Sequence, residues 1–157
     1  MSPMKRFTKT LSYDAPLDAV RAMLLDPAFR EAVLQRQQVV RGSARVADDV
    51  MIVEQVHSAA GVSSVARKLV GDEIAIVQTE RWSATGADVD ITIPGKPGEV
   101  AGSLVLAESG GTTTESLELE VTVRVPLVGG KVESMIADIL GSGLDREHQV
   151  GVEWLRG

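Results

Sequence analysis

Glu147 is the residue of this sequence that is the strongest candidate for a chemical role, because it lies on the apolar side of a predicted final helix. At about 100° per residue, it falls near the middle of one apolar stripe. The stripe consists of Val132, Ile136, Ile139, Leu140, Gly143, Val150 and Trp154. A carboxylate facing an apolar interior is unfavourable unless it is paired or protonated. Glu147 is therefore a candidate ligand-facing acid or base. It could instead form a structural ion pair with an arginine from the sheet, or be exposed where the helix leaves the core.

A second set of candidates comes from a strand predicted over residues 73–83. Alternation places five side chains on one face: Ile74, Ile76, Gln78, Glu80 and Trp82. If the isoleucines face the interior, Gln78 and Glu80 do so too, and burial would raise the pKa of the Glu80 carboxyl. That suits a general acid or a polar anchor, whereas a register slip would turn Glu80 outward. Trp82 fits core packing or a ligand platform.

Glu54 raises the same question on another strand, because it alternates with Val50, Ile52 and Val56. The candidate ligand-binding residues are thus Glu147, Glu80, Gln78, Trp82, Glu54, Ile136, Ile139 and Gly143. No catalytic set can be assigned.

A metal site is not predicted, since cysteine is absent and the two histidines lack ligand spacing. His57 and His148 are interpreted as solvated surface residues. No phosphate loop, nucleophile elbow or dinucleotide fingerprint is present, so no cofactor is expected.

The elements that must position these residues can be predicted from periodicity. A strand over residues 5–13 precedes two short helices, capped by Asp14 with Pro16 and by Asp26 with Pro27. Six strands follow, at 39–46, 50–57, 73–83, 88–93, 100–108 and 113–125. Residues 59–69 are predicted to be a loop with a helical turn, and residues 128–155 a long helix. Gly141 and Gly143 could kink that helix, make room for a ligand, or break it near Gly141.

Bulk composition narrows the class of protein. The 157 residues fit one domain over residues 1–157. A net charge of -6 and 3% aromatic residues argue against a nucleic-acid partner. Neither a signal peptide nor an apolar stretch of membrane-spanning length is apparent, so a cytoplasmic protein is expected. The oligomeric state is left open.

This order of elements resembles the helix-grip fold of the START-like superfamily, which includes polyketide cyclases and lipid-transfer domains. Residues 122–133, TVRVPLVGGKVE, together with Glu80-Arg81-Trp82, are similar to an uncharacterised bacterial branch of it. The resemblance implies an α+β fold, in which a curved antiparallel sheet of about seven strands wraps the long final helix, with an apolar cavity between them.

Three functions fit such a shape. The first is binding or carrying an apolar small molecule, lipid-like or polyketide-like. The second is a cyclase or dehydratase that uses Glu147 or Glu80 as acid and base. The third is a protein-interaction module whose cavity is filled by its own side chains.

Overall fold

The computed structural model describes residues 4–60, 64, 67–68, 71–127 and 129–157. In this part of the chain, the strands are β1 (Lys5–Tyr13), β2 (Arg41–Ala47), β3 (Val50–Ser58), β4 (Glu73–Trp82), β5 (Gly86–Thr92), β6 (Gly98–Ser109) and β7 (Thr112–Val123). The helices are α1 (Leu17–Leu24), α2 (Pro27–Arg36) and α3 (Gly129–Leu155). The predicted α+β fold and element order are confirmed. The prediction for residues 59–69 falls largely outside the described residues.

The seven strands form one antiparallel sheet in the order β1-β7-β6-β5-β4-β3-β2. Strands β2 to β7 follow one another as neighbours, whereas β1 adds to the far side of β7, with Tyr13 opposite Thr113. Because β1 and β2 lie at opposite edges, α1 and α2 carry the chain from one edge to the other. Two hairpin turns use left-handed backbone, at Asp48 and Asp49 and at Gly110 and Gly111, as two-residue hairpins favour.

The inner face of the sheet is apolar and the outer face is polar. In β7, Leu117, Leu119 and Val121 are buried, while Glu118 and Glu120 between them are exposed. This alternation confirms the pattern expected for an antiparallel sheet covered on one side.

Helix α3 covers that inner face by packing on β1 and β7 and against α1 and α2. It is continuous through Gly141 and Gly143, so the predicted possibility of a break near Gly141 is wrong. Gly151 allows the closest approach, since a Cβ there would lie 2.7 Å from the Tyr13 ring. The helix therefore lies over one half of the sheet and leaves a hollow over the other half.

The two short helices begin in different ways. Asp26 caps α2 as predicted, accepting a hydrogen bond from the Ala28 backbone N–H at 2.9 Å. The predicted Asp14 cap is wrong, because α1 begins at Leu17 with Pro16 in the cap position. The first free N–H instead donates to Glu108 of β6 at 2.7 Å, so the sheet supplies the oxygen that Asp14 was expected to provide.

Candidate functional site

The hollow beside α3 is a cavity of about 570 Å³ between the inner face of the sheet, α2 and α3. Its apolar wall comes from the sheet and from one face of the helix. It includes Ile74, Ile76, Val89, Ile91, Val100, Leu104, Leu117, Leu119, Val132, Ile136, Ile139 and Leu140. A chamber of this kind fits a small molecule with much apolar surface.

Arg30 is the centre of a charged cluster at the inner end of the cavity. It is only 6% exposed, although an arginine is rarely buried unless it is paired. Its guanidinium donates to both oxygens of Glu80, at 2.6 and 3.1 Å, and its Nε donates to the Leu24 carbonyl at 2.7 Å. Burial favours the neutral form of Arg30, but the carboxylates of Glu80 and Glu147 outweigh that effect and raise its pKa.

Glu80 has further donors besides Arg30. Its Oε2 accepts from Gln78 at 2.5 Å, and its Oε1 accepts from the Trp82 indole N–H at 3.0 Å. Both oxygens of Glu80 are therefore used within the protein, and its role is to anchor α2 to β4.

Glu147 reaches the same guanidinium from α3, with its Oε1 3.3 Å from Arg30 Nη1. Burial raises the pKa of the Glu147 carboxyl, the neighbouring Glu80 charge adds to this, and Arg30 opposes it. The predicted structural ion pair exists, but the arginine comes from helix α2 and not from the sheet.

Glu115 is the third carboxyl of the cluster, and it is only 1% exposed on the inner face of β7. Its Oε1 has no hydrogen-bond partner among the described residues. Burial raises the pKa of Glu115 well above its usual value, and the charge of Glu147 adds to the effect. The guanidinium thus pairs with two of the three carboxyl groups of the cluster, and among the described residues Glu115 forms no ion pair.

Tyr13 packs beside this cluster, against Gly151 and the His148 ring, whose centroid lies 5.0 Å away. Its hydroxyl is also buried without a partner in the described part of the chain. Burial raises the pKa of this phenol, and Glu147 and Glu115 raise it further. The hydroxyl is therefore a neutral group in this region.

The histidines are not the fully solvated residues that were predicted. His57 is half-buried in the cavity wall, where it contacts Gln55 at 2.6 Å, and burial lowers its pKa. His148 is half-buried against Tyr13, with its Nε2 2.7 Å from the Ser12 carbonyl. Each ring is half-buried because it lies on a partly covered face, His57 on β3 and His148 on α3.

Six of the eight candidate ligand-binding residues lie on the cavity wall. They are Gln78, Glu80, Ile136, Ile139, Gly143 and Glu147. The structure brings them together from β4 and α3, as their spacing predicted.

The other two candidates lie elsewhere. Trp82 is buried and packs beneath the Arg21 guanidinium, so it belongs to the core rather than to the cavity wall. The prediction that Glu54 faces the interior is wrong: it is exposed and pairs with Arg45 at 3.6 Å. Both faces of β3 carry apolar residues, and the pairing of Met51 with Glu80 selects the Met51 and Val53 face as the inner one.

Sequence reasoning missed Arg30 and Glu115. Glu115 carried a signal, because it continues the inward alternation of Leu117 and Leu119 by one step. Arg30 lies beside Phe29 and near Val33, so its burial depends on the packing of α2 against the sheet, which periodicity does not reveal.

Comparison with known proteins places the chain in a family. A family of proteins of unknown function, DUF2505, matches residues 8–155. The chain belongs to the DUF2505 family. No curated protein matches this DUF2505 member.

Solved structures share its fold at low sequence identity. The Zhui aromatase/cyclase from Streptomyces sp. R1128 has a TM-score of 0.68 at 11% identity, covering 96% of this chain and 93% of that chain. TTHA0849 from Thermus thermophilus has a TM-score of 0.63 at 16% identity, covering 96% and 95%. Ara h 8.0201 has a TM-score of 0.65 at 7% identity, covering 96% and 99%.

These similarities confirm that this DUF2505 member has the predicted helix-grip fold. That fold is typical of proteins that bind hydrophobic ligands. Among the helices of the described residues, none combines the length and the apolar character that a membrane crossing needs.

Proposed function

We propose that this protein binds a small apolar molecule in the cavity between its sheet and α3, as a carrier or sensor. The observation that supports the proposal is the cavity itself, at about 570 Å³ with a mostly apolar wall. Ligand sites are commonly about 300–1,000 Å³, and they combine apolar walls with a few placed polar groups. Here Gln78, Glu115 and Glu147 would be those groups.

The size of the cavity argues that it has been retained for binding. Protein interiors are close-packed, and residual cavity volume costs about 24 cal/mol per Å³. A dry cavity of this size would cost on the order of 10 kcal/mol, which is comparable to the whole stability of a domain. Water at the open rim lowers that free-energy cost, whereas larger side chains that filled the cavity would remove the cost altogether.

The same observation argues against an interaction module with a filled interior. Such a module needs its helix face and sheet face in direct contact. In this protein Ile76 of β4 and Ile136 of α3 both line open space.

A thermal-shift panel of apolar compounds tests the proposal. A ligand at 100 times its Kd stabilises the native state by about 2.7 kcal/mol. For a chain of this length, that raises Tm by roughly 5–11 °C. Native mass spectrometry of the protein as purified would identify a bound class of compound.

Two tryptophan variants make the test specific to the cavity. Ile76→Trp fills it from β4, while Ala75→Trp puts the same side chain on the exposed outer face of that strand. We expect Ile76→Trp to abolish the ligand-induced shift and Ala75→Trp to retain it. If neither the panel nor native mass spectrometry reveals binding, the proposal is refuted.

A second candidate function is acid–base catalysis of the cyclase or dehydratase type. The raised pKa of Glu147 at the cavity wall favours it, since a general acid needs a carboxyl protonated near the working pH. Glu80 is less suitable, because its oxygens already accept from Arg30, Gln78 and Trp82. A bell-shaped pH profile for turnover that is lost in Glu147→Gln and kept in Glu153→Gln, an exposed position on the same helix, would establish this activity.

A further inference from the structure

The charged cluster at the inner end of the cavity contains more acid than base. Its members come from different elements: Arg30 from α2, Glu80 from β4, Glu115 from β7 and Glu147 from α3. All four line the cavity and all four are buried. One positive charge therefore faces three groups that can each carry a negative charge.

The guanidinium of Arg30, the buried one among the described residues, is already engaged by two carboxylates and a backbone carbonyl. Its Nη2 and Nη1 donate to Glu80, Nη1 also lies 3.3 Å from Glu147, and Nε donates to the Leu24 carbonyl. An anionic ligand entering the cavity would thus meet three carboxyl groups and a buried cation that is already paired with two of them. Lys96 and Arg146 also line the cavity, but both are exposed at its rim.

Glu115 is the group that has capacity left. It is 1% exposed, lines the cavity, and has an Oε1 without a partner among the described residues. A buried polar atom without a partner costs roughly 1–3 kcal/mol, so a ligand that supplies a donor would recover that energy.

Resting on the proposed function, we propose that the ligand class is an apolar amine, whose protonated nitrogen donates to Glu115 and Glu147 while its hydrocarbon fills the apolar part of the cavity. An ammonium group supplies several donors and one positive charge. It would balance the second carboxylate of the cluster as Arg30 balances the first.

The proposal predicts proton release on binding. Glu115 faces Tyr13 from β1, Arg30 from α2, Glu80 from β4 and Glu147 from α3. Burial among these groups raises its pKa, which shifts the carboxyl towards its protonated form. A bound ammonium favours the carboxylate, and the proton passes to the buffer.

Three probes that differ only in their polar end test the proposal: 6-phenylhexylamine, 6-phenylhexanol and 6-phenylhexanoate. Isothermal titration at pH 7, in buffers of different ionisation enthalpy, gives both Kd and the number of protons released. We expect the amine to bind at least about tenfold tighter than the acid, in keeping with the strength of a close buried charge pair. The amine should release up to one proton, and clearly more than the alcohol.

Two variants assign the effect to the cluster. Glu115→Gln should lose the proton release and most of the preference for the amine, whereas Glu118→Gln, exposed on the same strand, should keep both. Glu147→Gln provides a second variant if Glu115→Gln fails to fold, and it should also weaken amine binding.

The outcomes separate this inference from the proposed function. Binding of the alcohol or the acid as tightly as the amine overturns the inference and leaves the proposed function in place. Proton release that is unchanged in Glu115→Gln and Glu147→Gln also overturns it. If none of the three probes binds and the apolar panel also fails, both proposals fall.

Discussion

Replacing Arg30 by methionine tests whether the buried cluster is held together by its one cation. Methionine keeps much of the side-chain volume but leaves Glu80 and Glu147 without their 2.6 and 3.3 Å partner. Breaking a buried ion pair costs about 3–5 kcal/mol, since an uncompensated charge remains in the interior. For a domain of this length, the Tm should fall by roughly 6–20 °C.

The chain supplies a matched control on the same helix. Arg36 also pairs with a glutamate of α3, Glu153, at 2.8 Å, but both side chains are about half exposed. Arg36→Met should therefore cost less than about 1 kcal/mol. Both variants remove an arginine of α2 that pairs with a glutamate of α3, and they differ in burial and in the second partner of Arg30, Glu80 on β4.

Urea unfolding followed by circular dichroism at pH 5 and pH 8 measures both variants. The penalty of Arg30→Met should be larger at pH 8, because the orphaned carboxyls can take up protons at the lower pH. Arg30→Met being no more destabilising than Arg36→Met would refute the view that the cluster is a buried, mutually dependent set.

Three further predictions concern the carboxyl pKa, the close approach of α3, and the start of α2. Because the pKa values of Glu115 and Glu147 are raised on folding, wild-type stability should fall as pH rises from the unfolded value of about 4.3 towards the folded values. In urea titrations across pH 4–8, Glu115→Gln should reduce that slope, and the exposed Glu118→Gln should not. Gly151→Ala should lower the free energy of unfolding by about 1–2 kcal/mol, since overpacking against Tyr13 outweighs the helix propensity gained. Gly130→Ala is the control, because a Cβ there meets open space, and it should leave stability unchanged or raise it. Equal effects of the two variants in chemical denaturation would contradict the packing argument. Asp26→Ala should cost about 1 kcal/mol by removing the cap on Ala28, and calorimetry showing no loss would mean that the cap contributes nothing.

The fold could be predicted because its signals are local and repeated. Alternation in β7 identifies both a strand and its buried face, and Asp26-Pro27 marks a helix start that depends only on neighbouring residues. The bounds of β1 agree at both ends, at Lys5 and Tyr13. These local patterns agree with the tertiary structure, because packing of the helices buries the faces of the strands that the sequence already makes apolar.

The site could be predicted only in part, since its chemistry depends on contacts between distant residues. Glu147 and Glu80 were identified because each is a carboxyl in an apolar periodic pattern. Arg30 was missed because α2 has a weak apolar pattern, and only the packing of this helix against the sheet and α3 buries the guanidinium. Glu54 was misplaced because both faces of β3 are apolar, so the pairing with β4 decides which side is inside.

The way in which β1 joins the sheet has a consequence for how the chamber is assembled. Its register runs from Lys5 opposite Val121 to Tyr13 opposite Thr113, so it pairs with the last strand of the chain. Such non-local pairing is slow to form, because the loop-closure entropy is lost before the β1–β7 contacts stabilise the sheet. During synthesis, the β1 segment emerges early and has no strand partner until β7 has left the ribosome. The cavity between the sheet and α3 is therefore complete only after β7 has been synthesised and α3 has packed over the sheet.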